Sequence, residues 1–175
     1  MKKLAFITLI LMSMGFTHSS SDEHALVWKT WNEGYPESRA SNKIALIDTY
    51  TAWCGWCKKM DKDTYEKSEI IERINKDFIP IKFNPELAGS YNVGDTSISG
   101  RALLSALSRG KSSGYPTTFF FLPSSNVMYQ YPGYMNAEQF AQLLDEMVRV
   151  HKATSNPAPK TDSGQANWSF STLKS

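Results

Sequence analysis

The 175-residue chain has two cysteines, Cys54 and Cys57, and they share one Cys-x-x-Cys. The setting of that pair constrains the fold more than any other feature. Just upstream, Ile44-Ala45-Leu46-Ile47-Asp48-Thr49-Tyr50 is a nearly continuous apolar run with β-branched members. Such a run reads as a strand covered on both faces. Downstream, a helix is expected to begin at about Cys54 and run towards Tyr65. A strand that feeds a dithiol into the mouth of a helix calls for an α/β arrangement.

The location has chemical consequences. A helix N-terminus presents unpaired N–H groups and about half a positive charge, which stabilises a thiolate. The thiolate is the reactive species in disulfide exchange, so its pKa must fall from about 8.5 towards 7 or lower. Cys54, at the helix mouth, is expected to be the exposed nucleophile. Cys57, nearly a turn further in, is expected to be more buried and to resolve a mixed disulfide by attacking the Cys54 sulfur. A plain structural disulfide is the alternative, but so short a loop contributes only about 2 kcal/mol. Metal binding by the pair alone needs two further ligands, and the three histidines, His18, His24 and His151, lie near the chain ends. No metal site is expected.

Three further positions bear on the site. Asp48 sits inside the apolar strand, where desolvation raises a carboxyl pKa. Beneath Cys57 it would take that thiol's proton during resolution; facing outward or bonded to a backbone N–H, it would not. Lys82, in the next strand, is either its counter-ion or an ordinary solvated lysine. Tyr115-Pro116 precedes another apolar strand, a context compatible with a cis bond. Trp53 and Trp56 flank the dithiol as an apolar docking patch, unless Trp53 packs into the core and Trp56 alone is exposed. Trp28 and Trp31 read as core or interface aromatics.

The remaining signals alternate. Residues 25–31 suit a short strand or a helix start, and Pro36 suits the first turn of a short helix over 36–41, ended by Asn42-Lys43. Ser68 can cap another helix, with Glu69 in its first turn and Ile70, Ile71 and Ile74 on one face. Residues 78–83 read as a strand in which Pro80 demands an edge position or a bulge. Residues 87–114 are rich in Gly, Ser and Asn, apart from a helix over 101–109 ended by Gly110. Residues 117–122 and 127–131 read as strands joined by a turn. Asn136 and Gln139 resemble a capping box opening a last helix, with Phe140, Leu143, Leu144, Met147 and Val148 as its core stripe. A domain over 25–152, with one mixed sheet flanked by helices, and a polar tail over 153–175 follow from this order. Trp168 and Phe170 in that tail have no role in the reading.

Residues 1–20 match a secretory signal peptide: Lys2-Lys3, an apolar run over 4–16, then Thr17 and Ser19 as small residues before a cut. The apolar run is shorter than the roughly 20 residues of a spanning helix, so membrane contact is expected only through an uncleaved signal. Lys2 and Lys3 account for the whole formal charge of +2, leaving a neutral mature chain. That argues against a nucleic-acid partner, which needs clustered Lys and Arg.

Ile47-Asp48, Trp53-Cys54-Gly55-Trp56-Cys57-Lys58, Lys82, Gly114-Tyr115-Pro116-Thr117 and Gly133 occur in the order seen in the thioredoxin superfamily. The chain resembles that family over roughly residues 26–150, and within it the secreted bacterial thiol–disulfide interchange proteins. The resemblance implies a thioredoxin-like fold in which Pro116 is cis and lies against the dithiol. It also implies that Tyr115 offers backbone hydrogen bonds to an extended substrate, that Trp53, Gly55 and Trp56 contact it, and that Lys82 and Gly133 support the site. Three departures stand out: Gly55-Trp56 replaces Gly-Pro, the helix after Cys57 lacks a kinking proline, and the segment before Pro116 is extended.

Dithiol proteins of this kind span about 150 mV, or about 7 kcal/mol, and thiolate stabilisation supplies much of the range. No histidine lies between the cysteines, so a mildly acidic Cys54 and a reducing or interchange role are expected. The expected activity is that of a periplasmic or secreted protein-disulfide oxidoreductase, monomeric and without a cofactor beyond the Cys54–Cys57 disulfide. Its partners would be protein disulfides or thiols and an electron-donor redox protein. A non-catalytic binding module or a copper-binding chaperone using the same cysteines is the alternative.

Overall fold

The computed structural model describes residues 26–111 and 113–155. The expected signal segment and most of the expected tail, with Trp168 and Phe170, lie outside these residues. Strands β1 (Ile44–Thr49), β2 (Phe78–Phe83), β5 (Thr117–Leu122) and β6 (Val127–Pro132) form one mixed sheet in the order β2-β1-β5-β6. β1 runs parallel to β2 and antiparallel to β5, and β6 pairs antiparallel with β5. Every residue of β1 and β5 is buried, as their unbroken apolar runs require.

Side-chain alternation divides the core in two. Ala45, Ile47, Ile81, Phe119 and Phe121 pack with Trp31 and Tyr35 of α1 (Trp31–Ser41) and with Leu103 and Leu107 of α4 (Gly100–Leu107). Ile44, Leu46, Phe78, Phe120 and Leu122 face the other way, onto Met60 of α2 (Gly55–Met60), Ile70 and Ile74 of α3 (Ser68–Asp77), and Phe140, Leu144 and Met147 of α5 (Ala137–Ser155). Asp48 has the same parity as Leu46, so it points beneath the helix that carries the cysteines.

Five sequence expectations are revised. Helix α3 is entered from Lys67, not capped by Ser68, which is already its first helical residue. Helix α1 begins at Trp31, not Pro36, because Glu33 accepts from both the backbone N–H and the hydroxyl of Thr30, an N-terminal box that holds the earlier turn. The helix after the dithiol does not stay α-helical to Tyr65. It passes into a π-helical segment, Asp61–Tyr65, closed by the Glu66 N–H donating to the Asp61 carbonyl. The segment before Pro116 contains a hairpin of β3 (Tyr91–Val93) and β4 (Thr96–Ile98). It is tied to α1 by the Trp31 indole N–H donating to the Asn92 carbonyl at 2.8 Å, so much of its extra length is spent on packing. The last helix continues to Ser155, three residues past the expected boundary.

Pro80 lies on the outer strand of the sheet. Its carbonyl accepts from the Lys29 N–H at 2.9 Å, and the Lys29 carbonyl accepts from the Lys82 N–H at 3.0 Å. The missing proline donor therefore falls on the rim, where no sheet bond is lost.

Candidate active site

Cys54 is the N-cap of α2 and Cys57 lies in its first turn. The two are joined as a disulfide, and the Cys57 N–H donates to the Cys54 sulfur at 3.0 Å. The sulfur thus occupies the place of a capping side-chain oxygen, in the field of the helix N-terminus. Burial departs from expectation. Cys54 is 4% exposed and Cys57 3%, so Cys54 is no more open than its mate. The exposure lies in the flanking indoles instead, with Trp53 at 68% and Trp56 at 59%. Trp53 does not pack into the core.

Each indole meets a tyrosine. Trp53 stands edge-on to Tyr115 with ring centroids 5.8 Å apart, and its N–H donates to Glu86 at 2.9 Å. Trp56 lies 5.5 Å from Tyr134, whose ring also carries the Lys59 ammonium. The dithiol therefore sits between two aromatic pairs. The Tyr115–Pro116 bond is cis. The Gly133 N–H donates to the Pro116 carbonyl at 2.8 Å, with Gly133 at φ +97°, so this glycine ties the loop before β5 to the end of β6. Gly55 faces open space. Burial and the nearby Glu86 carboxylate raise the Tyr115 hydroxyl above its usual value.

A charged cluster lies on the sheet under α2. Lys82 and Thr118 are the register neighbours of Asp48 on β2 and β5. Lys82 Nζ lies 2.5 Å from Asp48 Oδ2, so Lys82 is its counter-ion. Burial raises the Asp48 pKa, and Lys82 opposes that shift without cancelling it. For Lys82, burial alone would lower the pKa, but attraction to Asp48 and Asp61 outweighs it and the net direction is upward. The Lys82 ammonium is also ringed by Trp28, Tyr65 and Tyr50 at 4.5, 5.1 and 5.3 Å from their centroids. The Tyr65 hydroxyl, within 3.5 Å of the Thr118 hydroxyl, is driven well above its usual value by burial and then by Asp48.

Cys54, Cys57, Trp53, Gly55, Trp56, Tyr115 and Pro116 thus belong to one end of the sheet, with Asp48 and Lys82 beneath. Sequence reasoning missed Glu86, Asp61, Tyr65 and Tyr134. Asp61, four residues after Cys57, was open to notice as a carboxylate on the dithiol helix, but its pairing with Lys82 of β2 carries no local signal. Glu86 and Tyr134 are distant in sequence and carry no local signal.

A Cys-x-x-Cys disulfide at a helix mouth on this mixed sheet defines a protein of the thioredoxin superfamily with a disulfide-oxidoreductase-like site. The family model for thioredoxin-like DsbH proteins, described as "Protein of unknown function, DUF255", matches residues 13–166, and the chain belongs to that family. The chain is 32% identical over 116 residues to the thiol:disulfide interchange protein DsbD of Tatumella citrea, covering 63% of this chain and 17% of that protein. It is 24% identical over 153 residues to a protein disulfide-isomerase of Schizosaccharomyces pombe, covering 85% of this chain and 36% of that protein. The chain therefore spans well under half the length of these relatives. Among solved structures, a Thermus thermophilus thioredoxin superposes with TM-score 0.60 at 15% identity, covering 75% of this chain and 93% of that one. A DsbH oxidoreductase gives TM-score 0.52 at 17% identity, with coverage of 77% and 93%.

Proposed function

We propose that this protein is an extracytoplasmic thiol–disulfide oxidoreductase, periplasmic or secreted, that reduces or exchanges protein disulfides. The observation that carries the reading is the capping geometry: the Cys57 N–H donates to the Cys54 sulfur at the head of the helix. The same donor stabilises negative charge on that sulfur once the disulfide is reduced. The apolar run over residues 4–16 supports the location.

The reaction begins with the Cys54 thiolate attacking one sulfur of a protein disulfide. A mixed disulfide forms and the other substrate sulfur leaves with its electron pair. Cys57 then loses its proton to Asp48 and attacks the Cys54 sulfur. The second substrate thiolate departs and the Cys54–Cys57 disulfide is restored. An electron-donor dithiol protein reduces it for the next cycle. The exposed indoles of Trp53 and Trp56 receive the apolar surroundings of the substrate cysteine, and the backbone at Tyr115 pairs with its extended chain.

Insulin reduction with dithiothreitol tests the activity. Wild type is expected to accelerate it strongly and Cys57→Ser to do so weakly or not at all; equal rates defeat the enzyme reading. Cys57→Ser is also expected to accumulate a mixed disulfide with its client. Stoichiometric copper on freshly purified reduced protein would favour the binding-module alternative.

A further inference from the structure

The reaction just proposed delivers a proton to a residue with almost no contact with water. The Asp48 side chain is 2% exposed, and it must release the proton before it can serve another turnover. Lys82, its partner, is 20% exposed and forms a second ion pair outward, to Asp61, which is 42% exposed. The three groups therefore form a continuous series from the floor of the site to solvent. Asp61 reaches Lys82 from the first residue of the π-helical segment. Its own N–H still makes the α-helical bond to the Cys57 carbonyl, so it is fixed to the turn that carries the resolving cysteine.

We propose that Asp61 is a positioning and proton-exit residue: the path Asp48–Lys82–Asp61 carries the Cys57 proton to solvent during resolution. This rests on the oxidoreductase reading above. The Cys57 thiol proton passes to Asp48, and the resulting thiolate attacks the Cys54 sulfur. The Cys54–substrate S–S bond breaks and the substrate thiolate leaves with the electron pair. Asp48 then gives its proton to Lys82 Nζ as Lys82 passes one of its own to Asp61, and Asp61 releases it to water. Lys82 keeps its charge throughout, in keeping with the upward direction of its pKa. The titratable groups around Lys82 are Asp48 from β1, Tyr50 from the loop after it, and Asp61 and Tyr65 from the π-helical segment; the Trp28 ring covers it from the N-terminal side. Of these groups Asp61 is the carboxylate that pairs with Lys82 and reaches solvent, at 42% exposure.

The test reads the dithiol's own chemistry and needs no client. Reduced protein mixed with 5,5′-dithiobis(2-nitrobenzoate) releases one thionitrobenzoate when Cys54 attacks and a second when Cys57 resolves. In stopped flow, Asp61→Asn is expected to leave the first phase unchanged and slow the second about tenfold, a fraction of the effect typical of general acid–base catalysis because water retains some access. Added imidazole buffer is expected to restore the second phase in Asp61→Asn while leaving wild type unaffected, and Asp61→Glu is expected to retain wild-type behaviour. A second phase unchanged in Asp61→Asn overturns the proposal, as does equal slowing of both phases or slowing that no buffer relieves. Normal biphasic release from a wild type that fails to reduce insulin defeats the oxidoreductase reading and leaves the proton path standing.

Discussion

Lys82→Met isolates the electrostatics of the buried floor. The substitution keeps most of the aliphatic stem against Trp28 and Tyr65 but leaves the Asp48 carboxylate without its counter-ion. Breaking a buried pair by removing one partner costs about 3–5 kcal/mol. Here the cost has a ceiling, because Asp48 can take up a proton instead of staying charged. At pH 7, protonating a carboxyl with an unfolded pKa near 3.9 costs about 4 kcal/mol. Folding already raises this pKa in wild type, and removal of Lys82 raises it further. A raised folded pKa gives a contribution that is complete below the unfolded pKa and is lost as pH climbs towards the folded one. The part of the difference that comes from Asp48 should therefore vanish in acid, below the wild-type Asp48 pKa, leaving the loss of the ring contacts. Above it, the gap should widen by about 1.4 kcal/mol per pH unit until Asp48 ionises in the variant too. Urea unfolding of the oxidised proteins between pH 4 and 8, followed by tryptophan fluorescence, measures the gap. The double variant Asp48→Asn/Lys82→Met should remove the pH dependence. A Lys82→Met penalty that stays constant with pH, or that persists unchanged in the double variant, would refute the reasoning.

Other consequences follow from the same geometry. Cys54 should react with iodoacetamide along a titration curve whose midpoint falls below 8.5 but above about 5, since the helix terminus acts on it without a neighbouring histidine; a midpoint under 5 contradicts a reducing or interchange role. Gly100→Ala would place a methyl group 2.6 Å from the Pro85 carbonyl oxygen, so it should destabilise the fold by about 1–3 kcal/mol in chemical unfolding despite the better helix propensity of alanine. Glu86→Ala removes the acceptor of the Trp53 indole N–H and should increase fluorescence anisotropy decay from that exposed ring. Paired Trp53→Ala and Trp56→Ala changes should raise KM for a protein disulfide more than they lower kcat, and equal losses in both would argue against a docking role.

Much of the floor of the site was readable because parity does the work. An apolar strand with one carboxylate has a definite side for it, and a lysine at the facing register position supplies the partner. Asp48 and Lys82 were therefore legible as candidates, but the choice of a counter-ion over a solvated lysine, and of an inward over an outward carboxylate, came only with the register and the ion pair. The hairpin of β3 and β4 was not, since three-residue strands are too short to show alternation. The π-helical segment left no mark either. No proline or glycine interrupts Asp61–Tyr65, and its register depends on tertiary anchors such as the Thr64 hydroxyl donating to the Met135 carbonyl at 2.7 Å. The shielding of Cys54 was misjudged because helix position predicts direction and field, not how far tertiary packing covers the sulfur.

Both outer strands of the sheet contain a proline, Pro80 in β2 and Pro132 in β6. A foreign chain aligning along the β2 margin meets a gap in the row of donors, and Lys29 already occupies the Pro80 carbonyl and the Lys82 N–H. Strand-by-strand accretion of one molecule onto another is thereby interrupted at each border. Among the described residues, the exposed apolar rings Trp53 and Trp56 lie away from both borders, beside the dithiol.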